Sequence, residues 1–304
     1  MSNKSYELTL EKTFNLTSVF SEIRSSSDWN ILEVKTMLLL FEEISKYAKY
    51  ISSPEDIDAE FSIPTKYSLD INKWFDITGM NRRDNNFYRD FKKLRNSLAG
   101  KPVTIPHPLR LDCKKSSVSM PLFTKIEYLY DENIFSISVH DEHIKNLAYF
   151  VKYSKISFEY ISKLKSHYSV FSYILFKLLL DSSKGQKDSL VISINEFKDK
   201  VGIGKKYQQI NPFKEYVLDL VCNEINKSTQ INLSYDLVKK GRAYKDILFK
   251  FSFKDKYGNN NIFNEIEEGK SDEQKLPLEI EAILISWGMN ILSHILVDIS
   301  KNHL

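Results

Sequence analysis

The chain has 304 residues, a length that suits two small domains plus appendages better than one compact unit. Hydrophobic residues make up 42% and charged residues 27%, which excludes disorder throughout and leaves enough apolar surface for real cores. The net charge of +3 divides unevenly: nine acids against four bases from Asp255 onward leave +8 on residues 1–254, a basic body suited to a polyanion and an acidic tail that is not. Cys113 and Cys222 are too few and too far apart for a disulfide framework or a zinc site, and read as reduced thiols of a cytoplasmic protein. The start, MSNKSYELTL, has no apolar run of the kind a signal peptide needs. No membrane partner is expected either, because the most apolar stretch, Leu278 to Ile299, contains Glu279, Glu281, Asn290, His294 and Asp298.

Residues 1–30 are polar around a short FNLTSVF run and read as an N-terminal arm. A first domain is expected over 31–150. It opens with a helix from Ile31 to Tyr50, whose Val34, Met37, Leu38, Phe41, Ile44 and Ala48 give a broad buried face. Ser52, Ser53 and Pro54 end that helix, and Phe61, Ile63 and Pro64 suggest an extended connection. Asp70 to Met80 (DINKWFDITGM) then recurs 123 residues later as Ser193 to Ile203 (SINEFKDKVGI), each copy with a polar cap at its start and a Gly near its end. That repeat implies two related domains.

After the first copy, Arg83 to Leu98 reads as a helix with Phe87, Phe91, Leu94 and Leu98 on one face. A helical wheel puts Asn85, Arg89, Lys92, Lys93 and Asn96 on the opposite face, with Arg82 at the N-terminal end. From Arg82 to Arg95 there are six bases and two acids, and Arg and Asn are side chains that read guanine and adenine edges bidentately in the major groove. Lys101 to Ile105, Leu122 to Tyr128 and Ile134 to Val139 read as the strands of this domain's wing, interrupted at Pro106, Pro108 and the KKSS run. Asp141 to Phe150 reads as a short helix, and Val151 to Ser157 as the link to the next domain.

The second domain is expected over 151–257. Ser166 to Asp181 is its first long helix, a polar turn at 182–186 follows, and VISI supplies a strand. Lys205 to Phe253 then reads as a basic loop, one amphipathic helix and a two-stranded ribbon, which is the grammar of a winged helix. The loop brings Lys205, Lys206, Tyr207 and Gln209 ahead of a helix expected to start at Asn211 as cap, with Pro212 in the first turn and Lys214 exposed. Phe213, Val217, Leu220 and Val221 mark its buried stripe. The ribbon turns at VKKGRAYK, where Lys239, Lys240 and Arg242 surround Gly241 with no acid in the run, a tip suited to phosphates. Residues 258–277 are Gly-, Asn- and acid-rich and read as a linker. A C-terminal amphipathic helix is expected in 278–304, with Ile280, Leu284, Trp287, Ile291 and Ile295 as a stripe for self-docking or partner binding.

These residues carry a family resemblance. The run Y-x5-F-K-x2-V-L-x4-NEIN from Tyr207 to Asn226, followed by a strand, a K-G-R turn and I-L-F-K-F, resembles the second winged-helix domain of the iteron-binding plasmid replication initiators. LKSHYSVFSYILFKLLLD, Leu164 to Asp181, resembles the helix that opens that domain. The likeness is good over Phe158 to Phe253 and looser before it, and it departs at Glu215, where the family tends to continue its basic run. The resemblance implies an α+β fold of two tandem winged-helix domains and a double-stranded DNA partner carrying origin repeats. It also implies a dimer that represses its own gene at an operator, and a monomer that opens the origin with a host initiator and replicative helicase.

Two other readings stay open: a winged-helix transcriptional repressor without replication activity, and a rolling-circle nickase. The nickase needs a His-hydrophobic-His metal pair, and the sequence has none; the nearest cluster, His140 to His143 (HDEH), reads more simply as a helix start with Asp141 and Glu142 at its positive end. No G-x4-G-K-[ST] phosphate loop occurs, so no catalytic residue and no cofactor is assigned.

Overall fold

A computed structural model of the protein describes residues 13–25, 27–50, 63–80, 86–106, 117–129, 132, 134–150, 153–204 and 206–254. The expected linker and C-terminal helix lie outside the described residues. In chain order, strand β1 (Thr13–Thr17), a 3-10 turn (Ser18–Glu22) and β2 (Arg24–Ser25) precede helix α1 (Ile31–Ser45) and β3 (Lys49–Tyr50). Then come β4 (Lys66–Leu69), α2 (Ile71–Thr78), α3 (Phe87–Ala99), β5 (Pro102–Pro106), β6 (Ser117–Pro121), β7 (Phe123–Leu129) and β8 (Ile134–Val139). Helix α4 (Asp141–Ala148), β9 (Tyr149–Phe150), β10 (Tyr153–Ser157) and α5 (Phe158–Lys163) lead to α6 (His167–Ser182), β11 (Ser189–Ser193) and α7 (Ile194–Lys200). Helix α8 occupies residues 210–228, and the ribbon is β12 (Ile231–Lys240) with β13 (Ala243–Phe253).

The same unit is built twice. In the first, β4, β7 and β8 form an antiparallel sheet in the order β4-β8-β7; in the second, β11, β12 and β13 form one in the order β11-β13-β12. In both, the first strand pairs with the third, and a hairpin closes the sheet after the last helix, the winged-helix topology. The repeated segments explain why. Asp70 caps α2 through the amides of Asn72 and Lys73, and Gly79 ends it at φ 73°. Ser193 caps α7 through the amide of Glu196, and Gly202 follows at φ 68°. The left-handed backbone at both glycines is open to Gly at little cost.

The cores match as well. Trp74 of α2 sits fully buried between Phe91 of α3 and Phe135 of β8, with ring centroids 5.9 and 5.6 Å away. Phe197 of α7 sits between Phe213 of α8 and Phe249 of β13 at 6.4 and 4.9 Å. An aromatic wedge from the shorter helix thus fixes each longer helix against its sheet. The larger indole also carries an N–H, which Thr36 accepts at 2.8 Å.

Several expectations need correction. Helix α1 ends at Ser45 rather than Tyr50, because Lys46 and Tyr47 close a tighter turn onto Glu43 and Ile44 and residues 49–50 pair in parallel with 149–150. The same pairing stops α4 at Ala148. Strand β5 is no wing strand: it pairs with β2 and β6 in a separate sheet inserted between α3 and the true wing strands β7 and β8. Residues 153–157, read as a link, are a strand paired with Thr13 to Thr17. The segment 13–25 is therefore packed against both units, with Phe14 stacked on Phe158 at 4.8 Å and Phe20 against Phe41 of α1 (5.1 Å) and Phe171 of α6 (5.7 Å).

Candidate nucleic-acid interface

Helix α3 buries Phe87, Phe91, Leu94 and Leu98 and exposes Arg89, Lys92, Lys93, Arg95 and Asn96. The i, i+4, i+7, i+11 spacing keeps the apolar stripe on one side of a regular helix, so the cations fall opposite it. Asp90 draws on two of them: Arg89 pairs with its carboxylate at 3.1 Å and Lys93 at 3.7 Å, and the Arg89 hydrogen bond above all holds that carboxyl below the usual range. Lys92, Arg95 and Asn96 complete the exposed face. Arg82, Arg83 and Asn85 lie outside the described residues, as does Lys205.

Helix α8 starts two residues earlier than expected. Gln209 is its N-cap and makes no side-chain cap bond, so Asn211 caps nothing; Pro212 stands in the first turn, where amides have no intrahelical partner anyway. Within α8, Lys214–Asp219 is π-helical between the α-helical turns Ile210–Phe213 and Leu220–Ser228. The wide turn shifts the buried stripe: Leu218 is fully buried and Leu220, expected in the stripe, only half-buried. Lys214 is exposed, and so are Glu215 and Tyr216 beside it. Cys222 is partly buried, and burial pushes its thiol up to about 12, leaving it an inert packing group.

At the ribbon tip Gly241 adopts φ 70°, and Lys239, Lys240, Arg242 and Lys245 are all exposed. The register skips at Lys245, where a bulge twists the tip. The tip is not free of acids as its sequence suggests: Asp246, one residue beyond the basic run, pairs with Lys240 at 2.6 Å. Lys239 lies over the Tyr244 ring at 5.0 Å. Between β7 and β8 of the first unit the sequence reads Tyr-Asp-Glu-Asn, without the cations of the second unit's ribbon tip.

A polar seam joins the end of α3 to the entry of α8. Lys101, just past α3, is buried; it pairs with buried Glu33 at 3.2 Å, donates to the Asp28 carbonyl at 2.5 Å and covers the Trp29 ring at 4.7 Å. Glu33 in turn accepts from the Asn30 amide at 2.8 Å, closing a capping box on α1, and from the Ser97 hydroxyl of α3. A buried ion pair this well hydrogen-bonded costs little to keep and much to break. From the other unit, Lys206 pairs with the Asp28 carboxylate at 2.7 Å, and Lys200 with Glu22 at 3.0 Å. Lys206, expected from the sequence at the DNA, keeps an exposed side chain while it pairs with Asp28 across the seam. Tyr207 follows at φ 54°, a left-handed conformation uncommon outside Gly, with its carbonyl held by Lys198 at 2.6 Å.

The Glu142 amide donates to His140 Nδ1 at 3.4 Å at the start of α4, whereas His143 is buried with Nε2 3.3 Å from the Met120 carbonyl of β6 and ties α4 to that strand. Among the described residues no group of three His, Cys, Asp or Glu side chains is placed to hold a metal. No helix among them is long and apolar enough to cross a membrane.

The family model described as Initiator Replication protein, WH1 matches residues 19–180, more than half of the chain, and that described as Initiator Rep protein, WH2 matches residues 193–251. Among solved structures, the chain is similar to Pi initiator protein crystallised in complex with iteron DNA: the TM-score is 0.56 at 14% identity, over 81% of this chain and 99% of that chain. At that identity the likeness is one of fold. Domains 2 and 3 of RctB, crystallised as a selenomethionine derivative, align with a TM-score of 0.41 at 11% identity, over 76% of this chain and 85% of that one.

Proposed function

The chain belongs to the initiator Rep protein family, and from that premise we propose that it starts plasmid replication by binding repeated origin sites, iterons, in double-stranded DNA. Residues 31–150 and 151–257 act as two readers, and 258–277 link them to a C-terminal helix in 278–304. Helices α3 and α8 enter successive major grooves on one face of the duplex. Arg89, Lys92, Lys93, Asn96, Gln209 and Lys214 meet bases or flanking phosphates, and Arg82, Arg83, Asn85 and Lys205 are further contacts expected from the sequence. Lys239, Lys240 and Arg242 at the ribbon tip grip phosphate. The observation that supports this reading is the duplicated unit, with an exposed basic face on α3 in the first copy and exposed Lys214 and a basic ribbon tip in the second, the two joined at residue 28.

The initiator performs no chemistry of its own, and His140→Ala and His143→Ala leave origin binding intact. It represses its own gene as a dimer and acts at the origin with a host initiator and the replicative helicase. Quantitative binding to a duplex carrying the direct repeats that flank the gene tests the reading. Tight, sequence-dependent binding that supports plasmid establishment is expected. Binding confined to an operator, without replication, would make the protein a repressor, and metal-dependent cleavage of single-stranded DNA would make it a nickase.

A further inference from the structure

The stripe of α8 contains Phe213, Val217, Val221 and Ile225, three successive steps of four. On a regular helix at about 100° per residue such a stripe drifts by about 120° over its length. Helix α3 alternates four, three and four and does not drift, and it has no π turn. One wide turn at Lys214–Asp219 absorbs the drift and leaves Lys214, Glu215 and Tyr216 exposed in succession. Single π turns occur often at functional sites.

Tyr216 is 53% exposed, yet it is not loose: its ring stacks on that of Tyr207 with centroids 6.2 Å apart and planes at 29°. Tyr207 is itself held from three sides. Lys198 fixes its carbonyl, Tyr168 packs against its ring edge-on at 6.4 Å and is hydrogen-bonded to it, and Tyr216 covers its face. These contacts maintain its left-handed backbone, a strain of the kind that clusters at binding sites. The result is a preorganised aromatic surface beside the start of a recognition helix. Phosphate is a poor partner for it, because Glu215 on the same turn repels phosphate and suits a base edge. In the major groove of B-DNA the apolar group on display is the thymine 5-methyl.

We propose that Tyr216, stacked on Tyr207, is a specificity-determining residue that reads a thymine methyl group in the major groove, an inference that rests on the DNA-binding reading of α8 above. The test uses the full chain. A duplex consensus is selected from a random pool by the parent protein and resynthesised with deoxyuridine replacing thymine one position at a time. At one or two thymines on the second unit's side, loss of the methyl weakens the parent by about fourfold, the order expected for one buried methyl. Tyr216→Phe keeps that ratio because it keeps the ring, whereas Tyr216→Ala binds the thymine and deoxyuridine duplexes alike. A parent insensitive to deoxyuridine at every position, or an Ala variant with the parent's ratio, overturns the proposal while leaving DNA reading by α8 in place. A pool that yields no consensus removes the DNA-reading assignment and this inference with it.

Discussion

Gly202 lies so close to Trp29 that a Cβ built on it would stand 2.4 Å from the indole Cδ1. The two residues belong to different parts of the chain, Trp29 to the segment that enters α1 and Gly202 to the turn that leaves α7, and their contact closes the seam between α3 and α8. Gly202 also has a positive φ, so it is constrained twice. Gly202→Ala should destabilise the protein by about 1–3 kcal/mol and weaken binding to a full repeat. Gly185→Ala is the control, since Gly185 has a comparable φ of 77° but nothing within 4 Å of its missing Cβ. Denaturant titrations of both check the prediction; equal losses would mean that the Trp29 contact contributes nothing.

On α3 and α8, Arg89→Ala, Lys92→Ala and Lys214→Ala should each cost about 1–3 kcal/mol of discrimination if they meet bases, measured as the affinity ratio between an origin repeat and scrambled DNA. Arg89 should fall at the low end, because Asp90 already holds its guanidinium in the free protein. Unchanged ratios for all three at moderate salt would remove these helices from base reading.

Ribbon-tip residues should behave differently. Lys239→Ala and Arg242→Ala should weaken binding to all sequences alike, each lowering the slope of log affinity against log salt by about 0.9. Lys240→Ala should do less, since Asp246 competes for its ammonium, and Asp246→Asn should strengthen non-specific binding. A change in site preference with an unaltered salt slope would place these residues on bases instead.

The seam also sets a pH dependence. Burial lowers the His167 pKa to about 4, helped by Lys206 and Lys101 and opposed by Asp28 and a hydrogen bond with the Gly202 backbone. The unfolded chain therefore binds more protons between the ordinary value near 6.5 and about 4, so stability falls as pH drops through that window, by at most about 3 kcal/mol. His167→Gln should flatten this part of the profile whatever its starting stability. Parallel profiles for parent and variant would assign the acid sensitivity to other groups.

Much of each unit was legible from local signals. The paired segments 70–80 and 193–203 announced themselves through capping residues and glycines, and the α3 stripe through its period. What stayed hidden depends on partners far away in the chain. Thr13 to Thr17 finds its strand partner at Tyr153 to Ser157, and Lys49–Tyr50 pairs with Tyr149–Phe150, neither of which any local pattern encodes. The pairing of Lys206 with Asp28 likewise exists only once the units are docked. Tyr216 was missed for a subtler reason: three steps of four in the α8 stripe signal a widened turn, but its exposed side follows only from the packed helix.

The account rests on two readers held at one spacing, and the most direct test is to change the spacing in the DNA. Affinity of the full chain is measured for an origin repeat and for the same repeat with about five base pairs, half a helical turn, inserted between the two half-sites. With α3 and α8 joined through Asp28, the insertion turns the second groove to the far face of the duplex, and binding should fall toward the level of a single half-site. Undiminished affinity for the spaced repeat would contradict the claim that both helices read one duplex from a fixed frame.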